Sequence, residues 1–387
     1  MKIARETWSL VRFGEVAKLS KTRIADPVAE GIEHYVGIEH IEPEDLRIRS
    51  WGLVADGTTF TNWFEPGQVL FVKRRAYQRK VAVADFAGVC SGDIYVLESK
   101  GADVLLPELL PFICQSESFF EHAVGTSAGS LSPRTNWKQL ANYEFALPPL
   151  AEQRRIAEVL LAAEQVRVRA QHVESKAWRT RIAMYKELTQ TGVHRTGLKI
   201  SPLGFTPTHW EVSRVADVVE IHNDLRKPIS AEERQQQPGP YPYWGATGVL
   251  DSIDEFRLEG TYALIGEDGD HFLKQSIWSM THLVSGRFNV NNHAHVIKGT
   301  EKCSTEWFFH YFRHRDIRRW LTKQGSGRLK LKKADLAQML IAVPPPEEQA
   351  HLVDNLNTFV DGNISVSGHA VESAQLLKGL IQCSIGN

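Results

Sequence analysis

The sequence is poor in cysteine and lacks long apolar runs. Its 387 residues include four cysteines (Cys90, Cys114, Cys303 and Cys383), and no two of them form a CxxC pair. This spacing excludes a zinc ribbon, a thioredoxin-type site and a disulfide framework, and it favours reduced thiols in a cytosolic protein. No run of about 18 apolar residues is available to cross a membrane. The N-terminal segment has no apolar core typical of a signal peptide, so we expect a cytoplasmic location.

The familiar catalytic motifs are missing as well. The sequence has no GxSxG elbow, no GxGxxG after a strand and no HExxH pair. The Asn/Asp-Pro-Pro-aromatic motif of amino-methyltransferases is also missing, because the two proline pairs follow Leu147 and Val343. His293 and His295 have no third ligand at metal-site spacing, and Glu267–Asp270 is more typical of a turn than of a calcium loop. We therefore predict that the chain carries out no covalent chemistry itself.

One unit of sequence occurs twice. The segment Ala146–Gln153 (ALPPLAEQ) resembles Ala342–Gln349 (AVPPPEEQ), which lies 196 residues later. The same offset relates Gly129-Ser130 to Gly325-Ser326. The order and the flanking residues agree, whereas the sequence between the shared segments differs strongly. The chain is therefore predicted to contain two divergent copies of one unit, each about half its length.

Each copy ends in a helical pattern. Apolar residues recur at three- and four-residue spacing from Pro149 to about Gln190, and again after Pro345. Such spacing is typical of a coiled-coil seam. We predict two helices, the first about 60 Å long, that pack antiparallel with a globular domain at each end; two helices lying on separate cores are the alternative. The predicted seams are Ile156, Val159, Ala163, Val166, Ala170, Val173, Ala177, Thr180 and Met184 in the first helix, and Leu352, Leu356, Phe359, Asn363, Val366, Ala370, Ser373, Leu377 and Leu380 in the second.

The globular parts indicate an α/β fold of the mixed α+β kind. Short β-rich runs and helical stretches alternate, and a segment rich in Gly, Thr and Pro joins the two copies. The predicted strands are Gln68–Val72, Val81–Ala84, Ile94–Leu97, Thr261–Ile265 and Asn292–Ile297; the predicted helices are Pro107–His122 and Glu306–Leu321; the connector is Thr191–Thr208. The predicted domains are residues 1–147 (first globular domain), 148–191 (first long helix), 192–343 (connector and second globular domain) and 344–387 (second long helix).

Charge is balanced overall but uneven locally. The chain has 45 Lys+Arg and 46 Asp+Glu, which excludes a uniformly basic nucleic-acid binder. Phe71–Val81 nevertheless contains five Lys or Arg and no acid, and Arg313–Lys333 contains nine against Asp316 alone. Clusters of this kind suit phosphate binding, because neutralised phosphates release their counterions. A solvated helix face would explain one such run, but two runs in two matched copies favour nucleic acid.

These segments resemble the specificity (S) subunits of type I restriction-modification systems. Leu147–Ile156 and Val343–Leu352 look like the starts of the family's two long spacer helices, and Gly192–Trp210 resembles its link into the second recognition domain. The Pro344–Pro346 triplet departs from the family pattern and puts the packing of the second helix in doubt. Blocks similar to those of the recognition domains are Phe64–Val81, Gly88–Val96, Tyr241–Gly248 and Ala263–Gly269.

The resemblance implies two target-recognition domains held apart by an antiparallel helix pair, with a pseudo-two-fold internal repeat. Together they would read a bipartite, asymmetric site in double-stranded DNA. Two DNA methyltransferase (modification) subunits would grip the central helices, with optional restriction/translocase subunits. S-adenosylmethionine, ATP and Mg would be held by those partners, so the resemblance implies no cofactor on this chain. The setting would be phage defence in the prokaryotic cytoplasm, with this chain as the non-catalytic part.

The candidate site residues follow from the basic runs, from the loop Gly129–Arg134 and Lys138 that the repeat aligns with Gly325–Arg328, and from the resemblance. DNA contact is predicted for Lys73, Arg74, Arg75, Arg79, Arg134 and Lys138 in the first domain, and for Arg318, Lys323, Arg328, Lys330 and Lys332 in the second. Trp244 and Thr247 are added from the resemblance alone. Partner binding is predicted on the outer faces of the long helices, at Arg154, Arg155, Arg167 and Arg169. A plain surface role remains the alternative for each residue.

Three other functions fit parts of the pattern. A recognition subunit of a type IIB-like restriction-modification enzyme would share the fold and differ in its partner. A free-standing DNA-binding regulator would bind its site without a methyltransferase. A coiled-coil scaffold would show no salt-dependent DNA binding, whereas a DNA-binding chain loses affinity steeply as salt rises.

Overall fold

The computed structural model describes residues 8–193, 197–324 and 328–385, with the backbone alone for residues 324 and 360–370. The chain divides into two units, one formed by Met1–His172 and Gly368–Asn387 and the other by Val173–Ser367. Each unit contains one α/β domain and parts of two long helices. No helix within the described ranges is long and apolar enough to span a membrane.

The first unit contains short strands and short helices followed by the start of a long helix. Its strands are β1 (Ser9–Arg12), β2 (Ala17–Leu19), β3 (His34–Val36), β4 (Gly52–Leu53), β5 (Asn62–Phe64), β6 (Val69–Val72), β7 (Val81–Val83), β8 (Gly88–Cys90), β9 (Ile94–Ser99) and β10 (Glu144–Leu147). Its helices are α1 (Phe13–Val16), α2 (Leu110–Gln115), α3 (Glu117–Gly125) and α4 (Trp137–Leu140), and the long helix α5 (Leu150–Thr191) follows.

The second unit contains strands and short helices in a similar order, with two additional strand pairs. Its strands are β11 (Leu198–Ser201), β12 (Gly204–Pro207), β13 (Glu211–Arg214), β14 (Val219–Ile221), β15 (Pro238–Trp244), β16 (Val249–Ile253), β17 (Leu258–Glu259), β18 (Tyr262–Gly266), β19 (Thr281–Val284), β20 (Arg287–Val290), β21 (Ala294–Gly299), β22 (Thr322–Gln324), β23 (Arg328–Lys330) and β24 (Leu340–Val343). Its helices are α6 (Val215–Val218), α7 (Ala231–Gln236), α8 (Thr305–Phe312) and α9 (Lys333–Gln338), and the long helix α10 (Pro346–Ser384) follows.

The two four-stranded sheets and one strand pair of each domain correspond strand for strand, whereas β11–β12 and β22–β23 occur in the second unit alone among the described residues. In the first domain the orders are β2-β9-β6-β7 and β4-β3-β8-β5, with β1 paired to β10. In the second they are β14-β21-β18-β19 and β16-β15-β20-β17, with β13 paired to β24. The parallel pair also recurs, as β3 with β8 and as β15 with β20. The predicted internal repeat and mixed α/β class are therefore confirmed.

The repeated proline segments end a strand and begin a long helix. Gln153 is buried at the start of α5, where its amide donates to the carbonyls of Val104 (3.0 Å) and Pro148 (2.9 Å) and accepts from Leu106 N (2.9 Å). Gln349 makes the matching set of bonds in the second unit, to Lys302 O (2.6 Å), Pro344 O (2.8 Å) and Ser304 N (2.9 Å). The glutamine of each repeated segment thus fastens a long helix to its domain, because buried backbone groups need partners.

The two long helices share a core in each unit. In the first, Ile156 and Leu160 near the start of α5 belong to the same core as Leu377 near the end of α10. In the second, Tyr185 near the end of α5 belongs to the same core as Leu352 near the start of α10. The helices therefore pack antiparallel, as predicted.

The seam of the first helix differs from the prediction. Val159, Val166, Val173, Thr180 and Met184 are exposed, whereas Leu160, Arg167 and Tyr185 are buried. The prediction was wrong at these five positions. In the first unit an ion-pair network holds Arg167 inward, one residue after the predicted Val166. In the second helix Leu352, Leu356, Ser373 and Leu377 are buried as predicted; Asn363, Val366 and Ala370 lie outside the described side chains.

Most of the predicted strands are confirmed, and the predicted helices are shorter. The β-rich runs correspond to β6, β7, β9, β18 and β21. The stretch Pro107–His122 is two helices, because Ser116 ends α2 and its side chain caps α3 by accepting from Phe119 N. Glu306–Leu321 is helical only as far as Phe312 before a short 3-10 turn. The connector contains the β11–β12 hairpin.

Candidate nucleic-acid interface

The basic residues of the first domain gather around one carboxylate. Lys73 and Arg74 follow the fully buried strand β6, and Arg74 and Arg134 form a β-bridge. Arg134 donates to both carboxylate oxygens of Asp93, over 2.7 Å from Nε and 3.2 Å from Nη2. Arg74 donates from Nη1 to the same carboxylate over 3.4 Å and from Nε to Ser132 Oγ over 2.7 Å. We call Lys73, Arg74, Asp93 and Arg134 the first cluster.

The first cluster keeps a positive charge at the end of the sheet. The hydrogen bond from Arg134 lowers the pKa of Asp93, so this group remains a carboxylate at neutral pH. Burial lowers the pKa of Lys73, whose Nζ lies 4.7 Å from the centre of the Tyr95 ring. Two guanidinium groups and an ammonium around one carboxylate can bind phosphates or the acceptor edge of guanine.

Arg75 and Arg79 have the left-handed backbone conformation that is unusual for non-glycine residues, with φ of 55° and 57°. The Arg75 amide donates to Pro133 O over 2.7 Å and ties this turn to the loop that carries Arg134. The Arg79 side chain instead pairs with Glu117 (2.7 Å) and Glu44 (3.4 Å). The structure thus separates Arg79 from the first cluster. Lys73 and Arg74 belong to the cluster, and Arg75 lies beside it through the bond to Pro133.

The second domain places an acidic pair at the matching strand end. Glu267 and Asp268 follow β18, and Asp268 forms a β-bridge with Lys330. Asp268 accepts from Arg328 Nη2 over 2.8 Å and lies 2.9 Å from His293 Nδ1. Lys330 Nζ lies 3.0 Å from Glu267 Oε1. We call Glu267, Asp268, His293, Arg328 and Lys330 the second cluster.

Arg226 is a member of this site that sequence reasoning missed. It donates from Nη1 to Glu267 Oε2 over 2.6 Å and to Ala294 O over 3.2 Å. Burial of Glu267 would raise its pKa, but hydrogen bonds from Arg226 and Lys330 hold that pKa below its usual value. No spacing signal relates Arg226 to Glu267, because the fold brings them together from distant positions in the chain. Asp93 and Asp268 were missed for the same reason.

The remaining predicted cations lie outside both clusters. Arg318 forms an ion pair with Asp316 at 2.6 Å. Lys138 on α4, Lys323 on β22 and Lys332 before α9 are exposed. Exposed lysines of this kind suit phosphate contact without base selection, so their assignment stays a prediction.

A cleft of about 400 Å³ opens beside the second cluster. Thr247 is exposed at its edge. Trp244 lies at the end of β15, and its Nε1 is buried without a hydrogen-bond partner among the described residues. The residues that line the cleft include Thr247, Asp268, His271, Trp278, Asn291, His293 and Arg328. The structure thus brings Thr247 together with the second cluster.

The predicted partner-binding arginines do not share one environment. Arg154, Arg155 and Arg169 are exposed, and Arg155 pairs with Glu152 at 2.7 Å. Arg167 is only 4% exposed. It donates to Asp45 (2.9 Å) and to both oxygens of Glu164 (2.7 Å each). The placement of Arg167 on an outer face was therefore wrong, because two carboxylates hold it inside the first unit.

The two histidines of the His-x-His pair serve different partners. His293 contacts Asp268, whereas His295 is buried, with Nε2 2.9 Å from Leu331 O and Nδ1 2.8 Å from Asn223 Nδ2. Within the described ranges, no group of three or more His, Cys, Asp or Glu side chains is arranged to hold a metal ion. These histidines act as hydrogen-bonding groups of the second domain.

Comparison with known proteins connects both domains to one family. The family model of the type I restriction modification DNA specificity domain matches residues 5–169 and 207–370. A putative type I restriction enzyme specificity subunit from Haemophilus influenzae is 36% identical over 143 residues, which cover 37% of this chain and 35% of the relative. The type I restriction enzyme EcoDI specificity subunit from Escherichia coli is 28% identical over 194 residues, covering 48% of this chain and 40% of the relative. The matches thus span less than half the length of these relatives.

Two solved structures have a similar fold along the whole chain. A chain from the complex assembly of a type I R-M system has a TM-score of 0.61 at 18% identity, covering 100% of this chain and 99% of its own. The S subunit of a type I restriction-modification system from M. genitalium has a TM-score of 0.56 at 13% identity, covering 100% and 98%. At these identities the likeness shows the fold.

Proposed function

Because the chain belongs to the family of type I restriction modification DNA specificity domains, we propose that it is the DNA sequence-recognition subunit of a type I restriction-modification complex. It binds a bipartite, asymmetric site in double-stranded DNA, one half-site for each domain. The chain itself performs no catalytic step. It confers specificity on the methyltransferase and endonuclease that act with it in the prokaryotic cytoplasm.

The observation that carries this proposal is the pair of clusters at equivalent strand ends. Both domains have the same strand order, and both present charged side chains where β6 and β18 end. The side chains differ, with Arg74 in one domain and Asp268 in the other. Two domains with the same fold and different side chains at this surface suit two different half-sites, separated by base pairs that neither domain contacts.

The proposed partners are two methyltransferase subunits, with restriction/translocase subunits as further members. These partners would hold S-adenosylmethionine, ATP and Mg, and the methyltransferase would flip the target base. A docking surface is available on α5, where Arg154, Arg155 and Arg169 are exposed together with Val159 and Val166. Exposed valines bounded by cations suit a partner helix with an apolar face and acidic flanks.

The test is the methylome of a methylation-free host. One strain expresses this chain with the methyltransferase encoded beside it, and the control strain expresses the methyltransferase alone. We expect a split motif with a fixed gap, present only when this chain is expressed. Both proteins must be soluble and must co-purify for the comparison to count.

The outcome also separates the alternatives. A methyltransferase that methylates the split motif without this chain would contradict the proposal. Co-purification without methylation, combined with tight salt-dependent binding of the isolated chain to one DNA site, would favour a free-standing regulator. A split motif produced with a fused endonuclease-methyltransferase as the partner would indicate a type IIB-like enzyme. If the isolated chain binds no DNA, the coiled-coil scaffold is the remaining alternative.

A further inference from the structure

Identical backbone hydrogen bonds make the two clusters comparable residue by residue. In each domain the end of β6 or β18 bonds to the turn between two later strands (β8 and β9, or β20 and β21) and to the residues on either side of Arg134 or Lys330. The pairs are Lys73 N to Asp93 O (3.0 Å) and Glu267 N to His293 O (2.7 Å), Arg75 N to Pro133 O (2.7 Å) and Gly269 N to Leu329 O (3.1 Å), and Thr135 N to Lys73 O (3.1 Å) and Leu331 N to Glu267 O (2.7 Å). Arg74 is therefore equivalent to Asp268, and Asp93 is equivalent to His293.

The β8–β9 and β20–β21 turns are built alike as well. The Ser91 hydroxyl accepts from Asp93 N over 3.2 Å, and Asn291 Oδ1 accepts from His293 N over 2.8 Å. These side-chain-to-backbone bonds fix the turn in which Asp93 and His293 lie. The two domains thus share the backbone of this surface, and the side chains on it are free to differ.

Each domain has one covered carboxylate with two more exposed partners, and the carboxylate and its first partner exchange places between the two equivalent positions. The second arginines differ in position, because Arg134 is equivalent to Lys330. In the first domain the carboxylate lies in the turn between β8 and β9, where Asp93 holds Arg74 and Arg134. In the second it lies at the strand end, where Asp268 holds His293 and Arg328. Each carboxylate is largely covered, with 19% and 10% of its side chain exposed. The groups they hold are open, at 34% and 48% in the first domain and 41% and 59% in the second.

We infer that each domain discriminates bases of its half-site through the two side chains that one covered carboxylate holds, Arg74 and Arg134 on Asp93 and His293 and Arg328 on Asp268. The inference rests on the proposed function and assigns its base-reading groups. Asp93 and Asp268 are positioning residues, because they fix the orientation of the readers. Lys138, Lys323 and Lys332 contact phosphates without selecting bases.

The chemistry of the readers predicts what each recognises. An arginine held in one orientation can donate two hydrogen bonds to O6 and N7 of guanine in the major groove. When a carboxylate binds some of the N–H groups of a guanidinium, the remaining N–H donors of that guanidinium point outward in a fixed fork. The first half-site should therefore contain guanine opposite Arg74 or Arg134, and the second guanine opposite Arg328. Because the carboxylate and the donor exchange places, the base-reading arginines lie at different positions on the backbone that the two domains share. The two half-sites should therefore differ in the position of guanine.

The test uses the complete complex and the same methylome readout. The variants are Arg328→Lys and Asp268→Asn in the second domain, Arg134→Lys and Asp93→Asn in the first, and Arg287→Ala as the matched control. Arg287 is an exposed arginine of the second domain that pairs with Glu259 at 3.0 Å, much as Arg328 pairs with Asp268. Lysine keeps the charge and a phosphate contact but loses the two-donor fork, so it separates base reading from phosphate binding.

We expect each lysine variant to lower discrimination at one base pair about ten- to hundredfold, in one half-site only, with the gap and the other half unchanged. Arg287→Ala should leave the motif intact. Full discrimination by Arg328→Lys and Arg134→Lys, or relaxation of both half-sites by a single variant, would overturn the inference. A wild-type chain that produces no split motif would instead contradict the proposed function.

A variant that abolishes methylation is still informative. Its complex, checked for an unchanged melting temperature, is titrated with oligonucleotides that carry each single-base substitution of the wild-type motif. Affinity that falls equally for every oligonucleotide assigns the residue to phosphate contact and refutes base reading. Loss of preference at one base pair of one half-site supports it.

Discussion

The two units secure the first long helix to their domains by different chemistry. In the first unit the contact is ionic: Arg167 on α5 is enclosed with Asp45 of the domain and Glu164 of the same helix. In the second unit the contact is neutral: Tyr185 on α5 shares a hydrogen bond with His310 of the domain. The same structural task is thus met once with full charges and once with an uncharged imidazole.

The protonation states follow from these surroundings. Burial would raise the pKa of Asp45, but hydrogen bonds from Arg49 and Arg167 hold it below its usual value. Burial lowers the pKa of His310 to about 3, so its imidazole is neutral, with Nε2 donating to Asn357 Oδ1 over 3.0 Å. Removal of one charged side chain should therefore destabilise the first unit most, whereas protonation of the buried imidazole should destabilise the second.

The largest expected effect is that of Arg167→Ala. Removing the guanidinium leaves two covered carboxylates, Asp45 and Glu164, without their shared cation. Breaking a buried ion pair in this way costs about 3–5 kcal/mol. We expect the free energy of unfolding of the first unit to fall by that amount in urea titrations, while hydrogen exchange in the second unit stays the same.

Arg169→Ala is the matched control for this variant. Arg169 is exposed on the same helix, two residues away. Its removal should change stability by less than about 0.5 kcal/mol and weaken co-purification of the methyltransferase instead. Equal stability of the two variants would show that the buried network contributes nothing, and a partner defect confined to Arg167→Ala would restore the original assignment of that residue.

This network also marks the limit of what the helix pattern could predict. The recurrence of apolar residues located α5 and α10 correctly, because a long helix needs an apolar face to pack. The pattern could not choose between two adjacent faces, one with Val159, Val166 and Val173 and one with Leu160 and Arg167. The choice depends on Asp45, which lies far away in the sequence and is brought to Arg167 by the fold.

In the candidate site, too, some residues could be predicted from the local sequence and others depend on the fold. The basic runs identified Arg74 and Arg328, because the density of like charge is a local property of the sequence, and the internal repeat added Arg134. Their carboxylate partners gave no such signal, because Asp93 is an isolated acidic residue and Asp268 belongs to the acidic segment Glu267–Asp270, which was predicted to be a turn. Their role depends on which strand ends meet, and strand order cannot be deduced from short β-rich runs alone.

The two units have the glutamine at the start of each long helix in common. Gln153 and Gln349 each hold that helix start by three hydrogen bonds to backbone groups. Replacing either by alanine leaves those groups without partners, and we expect a loss of about 3 kcal/mol at roughly 1 kcal/mol for each bond. Urea titration with hydrogen exchange should assign each loss to its own unit.

The two losses should be equal within about 0.5 kcal/mol, because the bonds are the same. Glutamate at each position is the sharper variant, since it keeps the shape and the acceptor but removes the two amide donors. Markedly unequal losses would contradict the view that both units share one frame beneath different side chains.

Counted for each group, the smallest expected effect is that of mild acid, and it separates the units again. His310 and His314 have pKa values lowered by burial to about 3 and about 4, and both lie in the second unit. A histidine that is neutral when folded and titrates near 6.5 when unfolded stabilises the protein above pH 6.5 and loses this contribution as the pH falls towards its folded value. At pH 5 the loss is about 2 kcal/mol for each such histidine.

The Asp45 network of the first unit withstands the same change, because the pKa of Asp45 lies below its usual value of 3.8 and its contribution is lost only in stronger acid. Hydrogen exchange at pH 7 and pH 5, corrected for the intrinsic rate, should therefore show selective loss of protection in the second unit. The variant His310→Gln, which hydrogen-bonds without titrating, should reduce that selectivity, and equal loss in both units would contradict the assignment.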